Sequence, residues 1–93
     1  MEITLDSQPR QNEDIAVQIV EGRAFLMDPH ASELHALGGV GTRVYELIDG
    51  RRTVGDIIAV LLDEYDVDFE TLKQDTLDFL AELVDRGLIL VGE

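Results

Sequence analysis

Side chains able to carry out chemistry are few and widely spaced in this chain. His30 and His35 are the two imidazoles, and an extended chain would place these two residues on opposite faces of a sheet. They therefore cannot chelate one metal ion together, and each fits a structural or surface role. The sequence contains no cysteine, which excludes a thiolate metal site, a thiol nucleophile and a disulfide.

Two further segments have compositions that could bind ions. The carboxylates of residues 63–68 alternate, but this run lacks the glycine and the terminal bidentate glutamate of a calcium loop. Neither the glycine-rich segment 38–41 nor the arginine pair 51–52 belongs to a GxxxxGK[ST] phosphate loop. We therefore expect no catalytic residue, no metal and no cofactor. A small enzyme stays open only if the chain has a metal site that its sequence does not reveal.

The charge balance argues against several classes of partner. The 93 residues include 20 acidic and 7 basic side chains, so the formal net charge is −13. Nucleic-acid binders gain affinity by neutralising phosphates with Lys and Arg, so we expect no nucleic-acid partner. No apolar run is long enough to cross a bilayer and no signal peptide is present, which predicts a cytoplasmic domain without a membrane partner. Solubility alone could also account for the acidity.

The elements that must position any site begin with a predicted β-hairpin. Residues 1–14 are polar and contain Pro9, so we predict a flexible N-terminal arm followed by a folded domain over residues 15–93. Alternating apolar residues predict a strand over Ile15–Val20, a turn after it and a second strand that ends at Asp28. A third short strand fits Glu33–Leu37.

The rest of the chain has helical periodicity. A first helix is predicted from about Thr42 to Asp49, because the preceding glycines weaken an earlier start. A second helix follows the N-cap Thr53 and runs to Tyr65, and a third spans Phe69–Arg86. The closing segment Leu88–Val91 is predicted to be a short apolar strand or an extended tail.

These elements predict an α+β, winged-helix-like domain with a small three-stranded antiparallel sheet followed by three helices. In a winged helix that binds DNA, the last helix of the pair enters the major groove. The exposed face of the third helix is strongly acidic here, which argues against that role. A winged-helix protein-interaction or transcriptional regulatory domain stays open as the alternative function.

Several ordered motifs resemble one known family. Residues 15–91 are similar to pyrroloquinoline quinone biosynthesis protein D (PqqD) and its relatives, the family that also defines the RiPP recognition element. The most specific part is the order and spacing of the Tyr-Glu-Leu-Ile-Asp-Gly turn, the Thr-Val-x-x-Ile helix start and the Gly-Leu-Ile close. The segments that carry the resemblance are FLMDP, Glu33–Leu37, GTRVYELIDG, RTVGDIIAVLLDEYDV, DTLDFLAEL and RGLILV.

The resemblance implies a non-catalytic peptide-binding chaperone. Such a module captures the leader of a ribosomally made precursor peptide and presents it to a radical S-adenosylmethionine protein or another peptide-modifying enzyme. The implied site is a groove between the third strand and the third helix, where the leader adds as a further strand to an unpaired edge. Pairing of the protein's own tail with that edge would contradict this interpretation.

The candidate peptide-binding residues come from both walls of the implied groove. The strand supplies four of them, and the other four come from the wide apolar arc of the third helix. They are Leu34, His35, Ala36, Leu37, Lys73, Leu77, Leu80 and Val84.

Each candidate also has an ordinary structural role. Leu34, Leu37 and Leu80 fit core positions, since apolar residues at these spacings usually pack inward. The stem of Lys73 could simply cover apolar surface, or its ammonium group could meet an acidic residue of the leader. The spare apolar arc of the third helix could equally be buried in a homodimer.

Overall fold

Within residues 3–30 and 32–91, the computed structural model has three helices and two antiparallel sheets. None of the helices in this part of the chain is long and apolar enough to cross a membrane. In chain order the elements are β1 (Pro9–Gln11), β2 (Ala16–Val20), β3 (Arg23–Asp28), β4 (Glu33–Ala36), α1 (Gly39–Glu46), α2 (Val54–Glu64), α3 (Phe69–Asp85) and β5 (Ile89–Val91).

The larger sheet has the strand order β2-β3-β4, which confirms the predicted three-stranded antiparallel sheet. Glu21 and Gly22 connect β2 to β3, and both have a positive φ, +51° and +79°. Such a two-residue turn matches the right-handed twist of the flanking strands. The sheet therefore starts with a tight hairpin. Strands β2 and β4 are the two edge strands of the sheet.

The N-terminal segment differs from the expected flexible arm. Strand β1 pairs antiparallel with β5, with Gln11 opposite Ile89. The backbone N–H of Gly55 donates to the carbonyl of Leu5 over 2.9 Å. Ile3 and Leu5 also pack against the core, so residues 3–14 lie on the domain instead of extending from it. Residues 1, 2, 92 and 93 of the predicted arm and domain lie outside the described residues.

Helix α1 begins at Gly39, earlier than the predicted start at Thr42. The carbonyl of its N-cap, Gly38, accepts the Thr42 N–H over 2.7 Å. Packing of its buried side chains Val44 and Tyr45 outweighs the propensity cost of the glycines in its first turn.

Helices α2 and α3 match their predicted bounds, since both carry strong N-terminal caps. In α2 the Thr53 hydroxyl accepts the Asp56 N–H, and the Asp56 carboxylate accepts the Thr53 N–H, each over 3.0 Å. In α3 the Asp68 carboxylate accepts the Thr71 N–H over 2.9 Å. Gly87 follows α3 with a φ of +74°, as expected for a glycine that ends a helix.

An ion pair on the surface joins two of the helices, and the core packs all three helices against the strands. The Arg43 guanidinium of α1 donates two hydrogen bonds to Glu64 at the end of α2, over 2.9 and 2.6 Å, and these hold the pKa of Glu64 below its ordinary value. The core lies between β3, the three helices and β5. Its buried residues include Ala24, Leu26, Val44, Tyr45, Leu47, Ile48, Val54, Ile57, Ile58, Leu61, Leu72, Leu80, Leu83, Leu88 and Ile89.

Replacing the α2 cap tests its contribution to stability. We expect Thr53→Ala to lower the free energy of unfolding by about 1 kcal/mol, because one N-terminal N–H loses its acceptor. Thr53→Ser keeps the hydroxyl and should cost only a few tenths of that. Urea denaturation of the two variants beside the wild type measures both values, and equal losses would contradict the capping assignment.

The α3 cap makes a pH-dependent contribution. Hydrogen bonds from the N–H and hydroxyl of Thr71 hold the pKa of Asp68 below its ordinary value of 3.8. The carboxylate therefore stabilises the fold above that pH, and the contribution disappears as the pH falls through the lower folded-state pKa.

Asp68→Asn keeps a capping oxygen but removes the titration. We expect the free energy of unfolding of the wild type to fall more than that of Asp68→Asn between neutral pH and pH about 3. Urea denaturation at a series of pH values gives this difference, in which the other carboxylates cancel. Parallel curves for the two proteins would rule out the contribution.

Candidate functional site

One main-chain edge of β4 has no partner among the described residues. The N–H of Leu37 donates to Ala24 in β3 over 2.9 Å, and His35 lies opposite Leu26. Because bonding alternates along an antiparallel strand, the N–H and C=O groups of Leu34 and Ala36 point away from β3. The tail strand β5 pairs with β1 and leaves this edge of β4 open.

Thr42 determines where this edge ends. Its buried hydroxyl accepts the Ala24 N–H over 2.9 Å and donates to the Leu37 carbonyl over 3.3 Å. The β3–β4 ladder therefore stops at Leu37, since Thr42 has taken the donor that would continue it. The same contacts fix the end of β4 against the first turn of α1.

A groove separates β4 from α3. Its volume is about 360 Å³, and its α3 wall carries an ion pair in which Arg86 Nη2 lies 3.2 Å from Glu82 Oε1. On the opposite wall His35 Nε2 lies 3.4 Å from Glu33 Oε1. This part of the groove is therefore mainly polar. It is lined by Leu34, His35, Ala36, Leu37, Gly38, Phe79, Glu82, Leu83, Arg86 and Leu88.

A second cavity of about 480 Å³ continues the groove between α1 and α3. It shares Gly38 and Phe79 with the first cavity, so Phe79 stands at the junction of the two. Most of its surface is apolar, and Asp75 is the one charged residue in its lining. We call the two cavities together the α3 groove. The other residues of the second cavity are Val40, Gly41, Val44, Val67, Thr71, Leu72 and Thr76.

The position of Phe79 depends on Gly41. A Cβ atom at Gly41 would lie 3.1 Å from Phe79 Cζ, closer than ordinary van der Waals contact. A Cβ at Gly39 would meet nothing within 4 Å. Gly41 is therefore the glycine that lets the Phe79 ring lie against α1.

The structure brings together the four candidates in and directly after β4 but places the α3 candidates elsewhere. Leu34, His35, Ala36 and Leu37 all line the α3 groove. Leu80 is 0% exposed and belongs to the core, so its side chain is not accessible to a peptide.

The other three α3 candidates also lie outside both cavities of the groove. Val84 borders a separate acidic cavity together with Ile3. Lys73 and Leu77 are half-buried. The predicted residues lie on a different flank of α3 from the groove, because the apolar arc on their flank is packed against the core and approached by the N-terminal segment.

The flank of α3 that meets the groove carries residues that sequence reasoning missed. They recur at spacings of three and four, and Phe79 is the large apolar member. The nearby glycines were a usable signal, because a helix with a glycine in its first turn can accept an aromatic ring closely. These residues are Thr71, Asp75, Phe79, Glu82 and Arg86.

No group of three or more His, Asp or Glu side chains within residues 3–30 and 32–91 is arranged to hold a metal ion. The groove instead offers hydrogen-bonding main chain on one wall and side-chain cavities on the other. This combination suits an extended peptide, whose backbone would pair with β4 while alternate side chains enter the groove.

Solved structures of similar fold include two peptide complexes. The structure of TbiB1 in complex with the TbiA(beta) leader peptide has a TM-score of 0.80 and 22% identity, and it covers 86% of this chain and 93% of that one. The lasso peptide synthetase B1 complexed with the leader peptide has a TM-score of 0.80 and 19% identity, with 89% and 98% covered. At these identities the similarity establishes the fold.

Sequence comparison gives the family. A curated PqqA binding protein from Gluconobacter oxydans (strain 621H) is 33% identical over 51 residues, which are 55% of this chain and 53% of that protein. This chain thus matches about half the length of that relative. The family described as Coenzyme PQQ synthesis protein D (PqqD) matches residues 23–89. The chain therefore belongs to the PqqD family.

Proposed function

We propose that this protein binds the leader segment of a ribosomally made precursor peptide and presents it to a peptide-modifying enzyme. The observation that carries the proposal is the open edge of β4 at Leu34 and Ala36, which runs beside the α3 groove. A peptide strand that pairs with this edge satisfies main-chain groups whatever its sequence, and the groove then selects among its side chains.

The comparisons support this proposal by what the similar proteins bind. The curated relative is a PqqA binding protein, and the two solved structures described above are leader-peptide complexes. The enzyme that receives the peptide would be a radical S-adenosylmethionine protein or another peptide-modifying enzyme. The protein itself would serve as a non-catalytic binding module in the cytoplasm.

The alternative of a DNA-binding regulator has no support in the described surface. Helix α3 exposes Glu70, Asp75, Asp78, Glu82 and Asp85, and Arg86 pairs with Glu82. Bringing these carboxylates against phosphates would be strongly repulsive. Homodimer formation through α3 stays a prediction, although the core and the N-terminal segment already cover part of its apolar arc.

The peptide-binding edge can be tested by removing one main-chain donor. Ala36→Pro deletes an N–H that points away from β3, a position where edge strands tolerate proline. We expect it to weaken peptide binding by about tenfold or more, since a hydrogen bond is lost and the ring obstructs the added strand.

Ile19→Pro is the matched control, because the hairpin register directs the Ile19 N–H to the opposite free edge, on β2. The probes are synthetic PqqA of Gluconobacter oxydans and the short peptides encoded next to this protein's gene, measured by fluorescence anisotropy. Equal affinity of Ala36→Pro and wild type would show that β4 is not the binding edge. A wild type that binds none of these peptides would overturn the proposed function.

Gly41 offers a second test, directed at the groove. Gly41→Ala forces the Phe79 ring to move by a few tenths of an ångström, so we expect weaker binding of the same peptides. Gly39→Ala adds the same methyl group where nothing lies within 4 Å and should leave the affinity unchanged. Thermal unfolding of both variants checks that the fold is retained, and indistinguishable affinities would show that peptide binding does not depend on the exact position of the Phe79 ring.

A further inference from the structure

The side of the β2-β3-β4 sheet that faces away from the helices is unexpectedly apolar. Ala24 and Leu26 of β3 are fully buried beneath the helices, so the alternating residues point outward. The outward side of such a sheet is usually polar when it meets water. Here six of eight outward residues are apolar, as in sheets covered on both sides. We call these eight the outward face: Ala16, Gln18, Val20, Arg23, Phe25, Met27, Leu34 and Ala36.

The outward face has substantial exposure and an unusual charge. Val20, Met27 and Leu34 are 43%, 39% and 59% exposed. None of its eight residues is acidic, although the chain contains 20 acidic side chains. Its one cation is Arg23, whose guanidinium lies 6.0 Å from the centre of the Phe25 ring. A matching partner would present an apolar surface with a carboxylate opposite Arg23.

A second copy of this chain is a poor match for the outward face. Three strands of about five residues span roughly 250 Å² at ordinary strand dimensions. A stable interface usually buries about 800 Å² on each partner. Two copies would also each bring a net charge of −13. The partner must therefore gain contact area from something beyond these eight side chains.

The bound peptide would supply part of that area. Leu34 and Ala36 belong both to the outward face and to the open edge of β4. A strand that pairs with this edge would place every second side chain on the outward face, beside Leu34 and Ala36. The face would then have four strands, and one of them would be the peptide that awaits modification.

We propose that the outward face, enlarged by the bound peptide strand, is the docking surface for the peptide-modifying enzyme. This inference rests on the proposed function above. It makes docking of the enzyme dependent on the peptide, because the complete surface exists only in the peptide complex. The peptide site and the enzyme site are then neighbouring parts of one extended sheet, and substitutions can separate them.

The test uses carboxylates placed on the outward face. Val20→Glu and Met27→Glu each introduce a charge outside both cavities of the α3 groove. Leu90→Glu is the matched control, because Leu90 is also an exposed apolar strand residue, at 36%, but lies in the other sheet. The probes are the peptide-modifying enzyme and the precursor peptide encoded next to this protein's gene. Affinities for the peptide, and for the enzyme with and without peptide, are measured for the wild type and all three variants.

We expect the wild type to bind the enzyme at least about tenfold more tightly when the peptide is present. Val20→Glu and Met27→Glu should weaken enzyme binding by about tenfold or more while peptide affinity stays within about twofold. Leu90→Glu should change neither affinity.

Three outcomes would overturn the inference while leaving peptide binding intact. These are enzyme binding that is independent of the peptide, enzyme binding that is insensitive to both outward-face variants, and a dimer in sedimentation that Met27→Glu dissociates. Loss of peptide affinity in the two outward-face variants, with retained thermal stability, would also overturn it, because the two sites would not be separate. Failure of the wild type to bind the peptide would instead reject the proposed function on which the inference rests.

Discussion

The structure depends on the need of main-chain N–H and C=O groups for hydrogen-bond partners. Every strand must pair its N–H and C=O groups with another strand, with side chains or with water. The tail meets this requirement by pairing β5 with β1, and Thr42 meets it for the last donor of the β3–β4 ladder. Because neither solution involves the outer edge of β4, the outer groups of Leu34 and Ala36 have no main-chain partner among the described residues.

The wall opposite this edge is built by helix packing. Phe79 can reach the first turn of α1 because Gly41 has no side chain, and this contact divides the α3 groove into an apolar part and a polar part. The apolar part suits a large side chain of a bound strand. The polar part, with His35 and the Arg86–Glu82 pair, suits a side chain that can form hydrogen bonds with them.

The exposed surfaces of this small domain differ in charge. Carboxylates dominate the exposed side of α3, whereas the outward face of the β2-β3-β4 sheet carries Arg23 and no acidic residue. In an acidic protein, a carboxylate-free apolar face is the surface least protected from close contact with another protein.

Local sequence was sufficient for the hairpin, the cap of α2, the bounds of α3, and the strand that forms one wall of the groove. The Glu21-Gly22 turn and the Thr53 cap depend on contacts within a few residues, so both can be predicted from the sequence without knowledge of the fold. Tertiary structure alone decided that residues 3–14 pack on the domain and that Phe79, and not Leu80 or Val84, faces the groove. Periodicity shows that a helix has an apolar arc, but the rotation of that helix relative to β4 is set by long-range packing among the core, α1 and the N-terminal segment.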